Sequence, residues 1–392
     1  MSNTAIKKKD EPAASKGGGR PAALLAGAVI ATLSVAFSLV VAEAGYRLGV
    51  GVPLLEASNW RVEGIRTKRI GDRAMTDDRL GWTLKPHYKS SGFNTIDHGI
   101  RRNFDETEVR TGGVLAVGDS FTEGFDEVTD EGTWPAHLEE ILGEPVINAG
   151  VAGYAADQIL LRAEDMLALI KPQTLIIGFT EVDIYRSALS EAGAPKPYFT
   201  IENDELVYHP PGPFEPREEE NPITAGLRSV LGYSALGDHL FSRLTPSFWY
   251  PQQAAAYREI ENEPLKIICR LLEKTKNLSE AQDVRLLVFL QYAGDLVLEE
   301  PGIIDDMKHI TKCAQETGIQ VVDQFASLKA LTKGDVDLVA EYYVVDQNEE
   351  YGHMSPKGNH HAAQLLAEAL DNDDETPPLS TSLEEKSKPV PN

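Results

Sequence analysis

The sequence predicts an α/β fold, a three-layer doubly wound parallel sheet that follows a transmembrane helix and carries an insertion after its third strand. Three observations predict it. Short apolar segments alternate with amphipathic ones from about residue 111, an uncharged apolar stretch lies near the N-terminus, and the long run 187–252 separates the third strand from the next helix.

The strand candidates are 113–117, 145–148, 174–179, 285–292 and 319–323. Each is short and apolar along most of its length, the pattern of strands buried on both faces of a parallel sheet. Helices are expected over about 133–142, 156–170, 253–278, 302–317 and 356–370. The last has apolar residues at 362, 365, 366, 369 and 370, which share one helical face. Strand–helix alternation of this kind argues a doubly wound sheet with helices on both faces.

Upstream, Pro21 to Ala42 carries no charge. Its twenty-two residues, at about 1.5 Å each, match the roughly 30 Å hydrocarbon core of a bilayer. Lys7, Lys8, Lys9, Lys16 and Arg20 precede it, so the positive-inside rule places the N-terminus in the cytoplasm and the rest of the chain outside. Cleavage after Ala44 is the competing reading, and the length of the apolar run favours an uncleaved anchor.

The expected organisation is a disordered cytoplasmic tail (1–20), the anchor (21–43), an extracytoplasmic extension (44–110), the main domain (111–371) and a disordered acidic tail (372–392). Within 187–252, residues 198–208 read as a hairpin around Glu202-Asn203-Asp204-Glu205, followed by a proline-rich run and the aromatics Phe248-Trp249-Tyr250. Such an insertion would either cover the site or pack on the surface. A hydrophobic share of 42% supports a sizeable core, and a net charge of −24 argues against nucleic-acid binding. Cys269 and Cys313 have no metal-ligand spacing. They would be joined in an oxidising compartment, but two buried thiols are the favoured reading.

Val114-Leu115-Ala116-Val117 runs into Gly118-Asp119-Ser120, placing Ser120 just past the carboxyl end of the first strand, where open α/β sheets bind ligands. A serine there can expose its Oγ while its own N–H faces a developing oxyanion. The same tripeptide also forms ordinary turns and helix caps. A serine nucleophile needs a base. His353 stands ahead of Ser355 and Pro356, a helix cap and first helical position, and so falls in a loop on the same side of the sheet. Glu350 could orient its imidazole, with Glu349 and Asp346 as rivals, whereas His360 and His361 belong to the helix. After the second strand, Gly153 could offer an unhindered N–H. No phosphate-loop spacing is present, and an acid-phosphatase reading of Asp119-x-Phe121-Thr122 lacks a metal-binding partner motif. No metal and no cofactor is expected.

Taken in this order, Gly118-Asp119-Ser120, Gly153 and His353 resemble the blocks of the SGNH (GDSL-like) hydrolase family, in its membrane-anchored bacterial branch. The resemblance extends to 42–48, Leu80-Gly81-Trp82-Thr83-Leu84-Lys85-Pro86, His98-Gly99-Ile100-Arg101 and Thr133-Trp134-Pro135. It implies a flavodoxin-like sheet and an acyl-enzyme formed on Ser120, with His353 as base and Glu350 as orienting acid. Gly153 and the Ser120 N–H would be the oxyanion donors. Implied substrates are small esters or acylated glycans, for hydrolysis or acyl transfer at the outer face of a bacterial inner membrane. One departure stands out. The family's third block supplies an oxyanion-binding asparagine, and that position falls on Val182, which has no donor; Thr180 or a group from the insertion could substitute. The alternative is a catalytically weakened module of the same fold that binds glycan or a protein.

Overall fold

In the computed structural model, five parallel strands form the central sheet: β1 (Val114–Val117), β2 (Val146–Asn148), β3 (Thr174–Phe179), β4 (Arg285–Leu290) and β5 (Gln320–Asp323). Their spatial order is β5-β4-β3-β1-β2, with Val114 opposite both Val146 and Thr174, and Arg285 also opposite Thr174. Every residue of β1, β2 and β3 is buried. This explains why the strands read as unbroken apolar runs.

Helices α1 (Trp134–Leu142), α2 (Ala156–Ile170), α3 (Pro264–Glu280), α4 (Asp305–Glu316) and α5 (Pro356–Asp371) complete the layers. Helix α1 packs against α5, and α3 packs against α2 and α4. Right-handed crossovers produce these two groups, because the chain steps from β1 to β2 in one direction and from β3 to β5 in the other. The reversal falls between β1 and β3. Loops leaving the carboxyl ends of these strands therefore diverge and open a crevice.

The described residues are 20–55, 57–61, 71–125, 128–213, 221–250, 257–345 and 351–371. The chain divides into two units, one comprising Met1–Ile65 with Arg217–Gln252 and the other Arg66–Pro216 with Gln253–Asn392. The second holds the sheet. The first holds an N-terminal helix, Arg20–Val50, which is long and apolar enough to cross a membrane.

Several details differ from the sequence reading. Part of the 44–110 stretch has regular structure. Ala74–Asp77 and Gly81–Leu84 form an antiparallel hairpin, and Leu80, Trp82, Leu84 and Phe93 join the same core as the sheet. The 187–252 stretch is split between the units. Its first part forms short strands, including the 198–209 hairpin with Asn203 and Asp204 at φ 50° and 67°, the left-handed pair a two-residue turn requires. Its later part forms the helices Pro222–Leu231, Ala235–Leu244 and Pro246–Trp249 of the other unit. The helix expected over 253–278 begins only at Pro264, because Tyr257–Glu259 pairs with Leu189–Ala192 as a strand.

Burial in the second unit includes one full ion pair. Lys196 Nζ donates to Asp157 Oδ2 at 2.8 Å and to the carbonyls of Leu189 and Pro197, and both side chains of the pair are wholly enclosed. The two cysteines are joined, contrary to the favoured reading as separate thiols. Cys269 on α3 and Cys313 on α4 have Cα atoms 5.7 Å apart, because these neighbouring helices pack on the same face of the sheet.

The bond closes a separation of 44 residues, and chain-entropy reasoning gives it about 4 kcal/mol. Protein made in an oxidising compartment should show no titratable thiol after denaturation and two after reduction, with a melting midpoint lowered by several degrees. Two thiols before reduction would overturn the pairing.

Candidate active site

The crevice is built first by the turn after β1. Asp119 accepts the Phe121 N–H at 2.9 Å and so caps the short helix Ser120–Glu123, which Gly124 ends at φ 86°. A helix's first N–H groups have no intrahelical acceptor, so that of Ser120 is available to a ligand. The loop after β2 comes close. A Cβ on Gly150 would stand 2.3 Å from the Glu123 nitrogen, and Gly153 takes φ 78°, so this loop needs its glycines.

Ser120 Oγ lies 2.8 Å from His353 Nε2. The histidine is in a strand, Tyr351–Met354, not in the loop expected; it pairs antiparallel with Tyr343–Val345, whose β-branched and aromatic residues suit a ribbon. Ser355 follows as expected, its Oγ accepting the Gly358 N–H at the start of α5. Glu350, Glu349 and Asp346 lie outside the described residues.

Two phenyl rings enclose the imidazole. Phe121 is tilted against it and Phe125 stacks on it, each with a centroid separation of 5.0 Å. Phe125 has φ 31°, unfavourable for a bulky residue. Arg101 holds the segment there. Fully buried, its guanidinium donates to the carbonyls of Gly92, Glu123, Phe125 and Val128 and to the Asp130 carboxylate. Arg73 lies between Phe125 and Phe93, 4.4 Å from each centroid, and pairs with Glu123 at 3.2 Å. Beside Phe125 opens a cavity of about 460 Å³ lined by Arg73, Trp82, Tyr88, Glu123 and Ala152. In the sequence Arg101 stands out only within His98-Gly99-Ile100-Arg101, and no local pattern marks Phe125 or Arg73. Their roles depend on contacts between distant segments.

The loop after β3 supplies the third wall. Thr180 Oγ1 donates to Asp119 at 3.3 Å, so its hydroxyl is committed away from an oxyanion. Arg186 donates to Asp183 at 3.1 Å and lies 3.7 Å from Asp119. Burial and the neighbouring Asp119 push the Asp183 carboxyl well above the usual carboxylate range, with Arg186 opposing. Val182 is 38% exposed and offers no donor. Next to it, Glu181 has an enclosed Oε2 with no hydrogen-bond partner among the described residues. Burial pushes its carboxyl up to about 7, with Asp119 contributing. Among the described residues no group of histidine, cysteine and carboxylate side chains could hold a metal ion.

No protein-family model and no curated protein matches the sequence. Among solved structures, the chain is similar to a lipolytic protein of the G-D-S-L family from Desulfitobacterium hafniense (15% identity, 66% of this chain and 99% of that one, TM-score 0.35). It is also similar to an acetyl xylan esterase (12%, 66% and 99%, 0.37) and to a lipase/acylhydrolase from Enterococcus faecalis (14%, 66% and 95%, 0.36). Likeness this distant assigns no activity.

Glu181 makes stability depend on pH. Its folded-state value of about 7 lies above the ordinary 4.5, so its contribution is fully present below about pH 4.5 and is lost as pH rises through 7. Between pH 5 and 8 the loss should be on the order of 3 kcal/mol. Glu181→Gln should flatten that part of the denaturation profile. An unchanged slope would show that the carboxyl titrates normally.

Proposed function

We propose that this chain is a serine esterase acting on acyl esters, with Ser120 as nucleophile and His353 as general base. The observation that carries the reading is the 2.8 Å approach of Ser120 Oγ to His353 Nε2 at the switch point of the sheet. Ser120 Oγ attacks the ester carbonyl while His353 Nε2 takes its proton. The tetrahedral oxyanion is received by the N–H groups of Ser120 and Gly153. Collapse transfers the proton from His353 to the departing alkoxide, and water then resolves the acyl-enzyme by the same steps. Glu350 is the proposed orienting acid, with Glu349 and Asp346 as the alternatives. The cavity beside Phe125 would receive the part of the ester that extends past the Ala152–Gly153 loop.

A second reading, a weakened binding module on the same fold, is favoured by Val182 alone. The N-terminal helix supports a membrane-anchored form, and the disulfide is consistent with an outward-facing, oxidising location. Acetyl preference and transfer to a sugar hydroxyl in place of water are finer versions of the proposal.

Turnover of a short-chain aryl acetate by the full chain should fall at least about 10³-fold in both Ser120→Ala and His353→Asn. Equal rates in the wild type and Ser120→Ala would remove the nucleophile assignment. In the same assay, Val182→Asn should raise kcat by up to about 10²-fold if a third donor is missing at that position. No gain would place the oxyanion elsewhere.

A further inference from the structure

The helices Pro222–Leu231 and Ala235–Leu244 are tied to the N-terminal helix at one polar joint. Glu43, the first charged residue after the apolar stretch, accepts the N–H groups of Ala235 and Leu236 at 2.8 and 3.0 Å and the Ser234 hydroxyl at 2.6 Å. It also holds Arg47, whose guanidinium donates to the carbonyls of Tyr233 and Pro53. Tyr46 and His239 rings meet at 5.1 Å. The joint is supported from below, where Asn59 donates to Ser229 O and Arg61 to Trp249 O. The two insertion helices are therefore fixed at the level where the N-terminal helix stops being apolar.

The Pro222–Leu231 helix is patterned the wrong way round for water. Its one charged side chain, Arg228, is buried and donates to Phe248 O at 2.9 Å. Its apolar side chains Ile223, Leu227 and Val230, spaced to share a helical face, are 80%, 53% and 71% exposed. A helix at an aqueous surface turns its apolar stripe inward and its charges outward. In the same unit Leu244 on the next helix (75%) and Leu55 after the N-terminal helix (97%) are also exposed. Patches of this kind mark an interaction surface.

We propose that this unit is a membrane seat, in which the Pro222–Leu231 helix lies in the headgroup and upper acyl region of the bilayer beside the exit point of the N-terminal helix. The occupant of the apolar face is lipid. Glu43 sets the depth, since it ends a stretch of about 33 Å that matches the hydrocarbon core, and the Ala235–Leu244 helix, which follows Pro222–Leu231 directly, packs against the N-terminal helix at that level. Tyr233, 54% exposed between the two helices, suits the same interface. The inference rests on the membrane-anchor reading and is independent of the esterase chemistry.

The test uses the full chain, disulfide intact, reconstituted in phosphatidylcholine–phosphatidylglycerol vesicles. Nitroxides are attached singly through Ile223→Cys, Leu227→Cys or Val230→Cys, with Ser38→Cys in the N-terminal helix and Glu273→Cys on α3 as references. Collision with oxygen relative to a water-soluble nickel chelate should be at least about threefold higher at the three seat positions than at 273, approaching the value at 38. Nickel-favoured collision at all three positions, with lipid-like collision at 38, overturns the seat and leaves the anchor standing. Exclusion of both reagents at those positions shows protein, such as a second copy, covering the face and also overturns it. A water-like ratio at 38 defeats the anchor and the seat together.

Discussion

One side-chain amide joins the two halves of the candidate site. Asn359 accepts the Trp134 N–H at 2.9 Å and donates back to the Met354 and Ser355 carbonyls at 3.0 Å. Trp134 begins the helix that follows the nucleophile loop, and Met354 follows His353. A hydrogen bond across 225 residues of sequence thus fixes the histidine strand against the serine turn. Asn359, Trp134 and Met354 are all buried, so water cannot substitute cheaply for these bonds. The close packing of α1 and α5 surrounds this link and keeps it in register.

A second constraint acts on the loop after Ser120. Phe125 takes an unfavourable backbone conformation and presents a ring to His353, and Arg101 is the group that holds it. The order along this line is His353, Phe125, Arg73, Phe93 and Arg101, each in ring or cation–ring contact with the next. The 71–103 segment is consequently part of the site's walls. It backs the ring that covers one face of the imidazole.

Electrostatics and chemistry pull differently around the third loop. Asp183 and Glu181 gather beside Asp119 at the carboxyl ends of β1 and β3, where burial disfavours the charge of Asp183 and Glu181, and among the described residues Arg186 is the cation paired with Asp183 and Asp119. Asp119 and Thr180 are absorbed into capping the turns that expose Ser120. Val182 adds no side-chain donor to the third wall. The same division appears in the other unit, where Glu43 is used to cap a helix and the apolar side chains are left outside.

The five strands and their flanking helices could be read from the sequence because burial on both faces leaves an unbroken apolar run, and cap residues such as Ser355 and Pro356 mark helix starts locally. Gly118-Asp119-Ser120 was legible for the same reason, as a turn forced at the end of a buried strand. Three things were not. The distance between Ser120 and His353 depends on Asn359 and helix packing. The pairing of Cys269 with Cys313 depends on α3 and α4 lying side by side. The assignment of 222–250 to the N-terminal helix depends on Glu43 finding the Ala235 and Leu236 amides. Local pattern alone determined which segments are strand, helix or turn, because those preferences act within a few residues. Only the tertiary structure decided which distant groups meet, because those contacts are selected by burial and by the need to satisfy polar groups that the fold encloses.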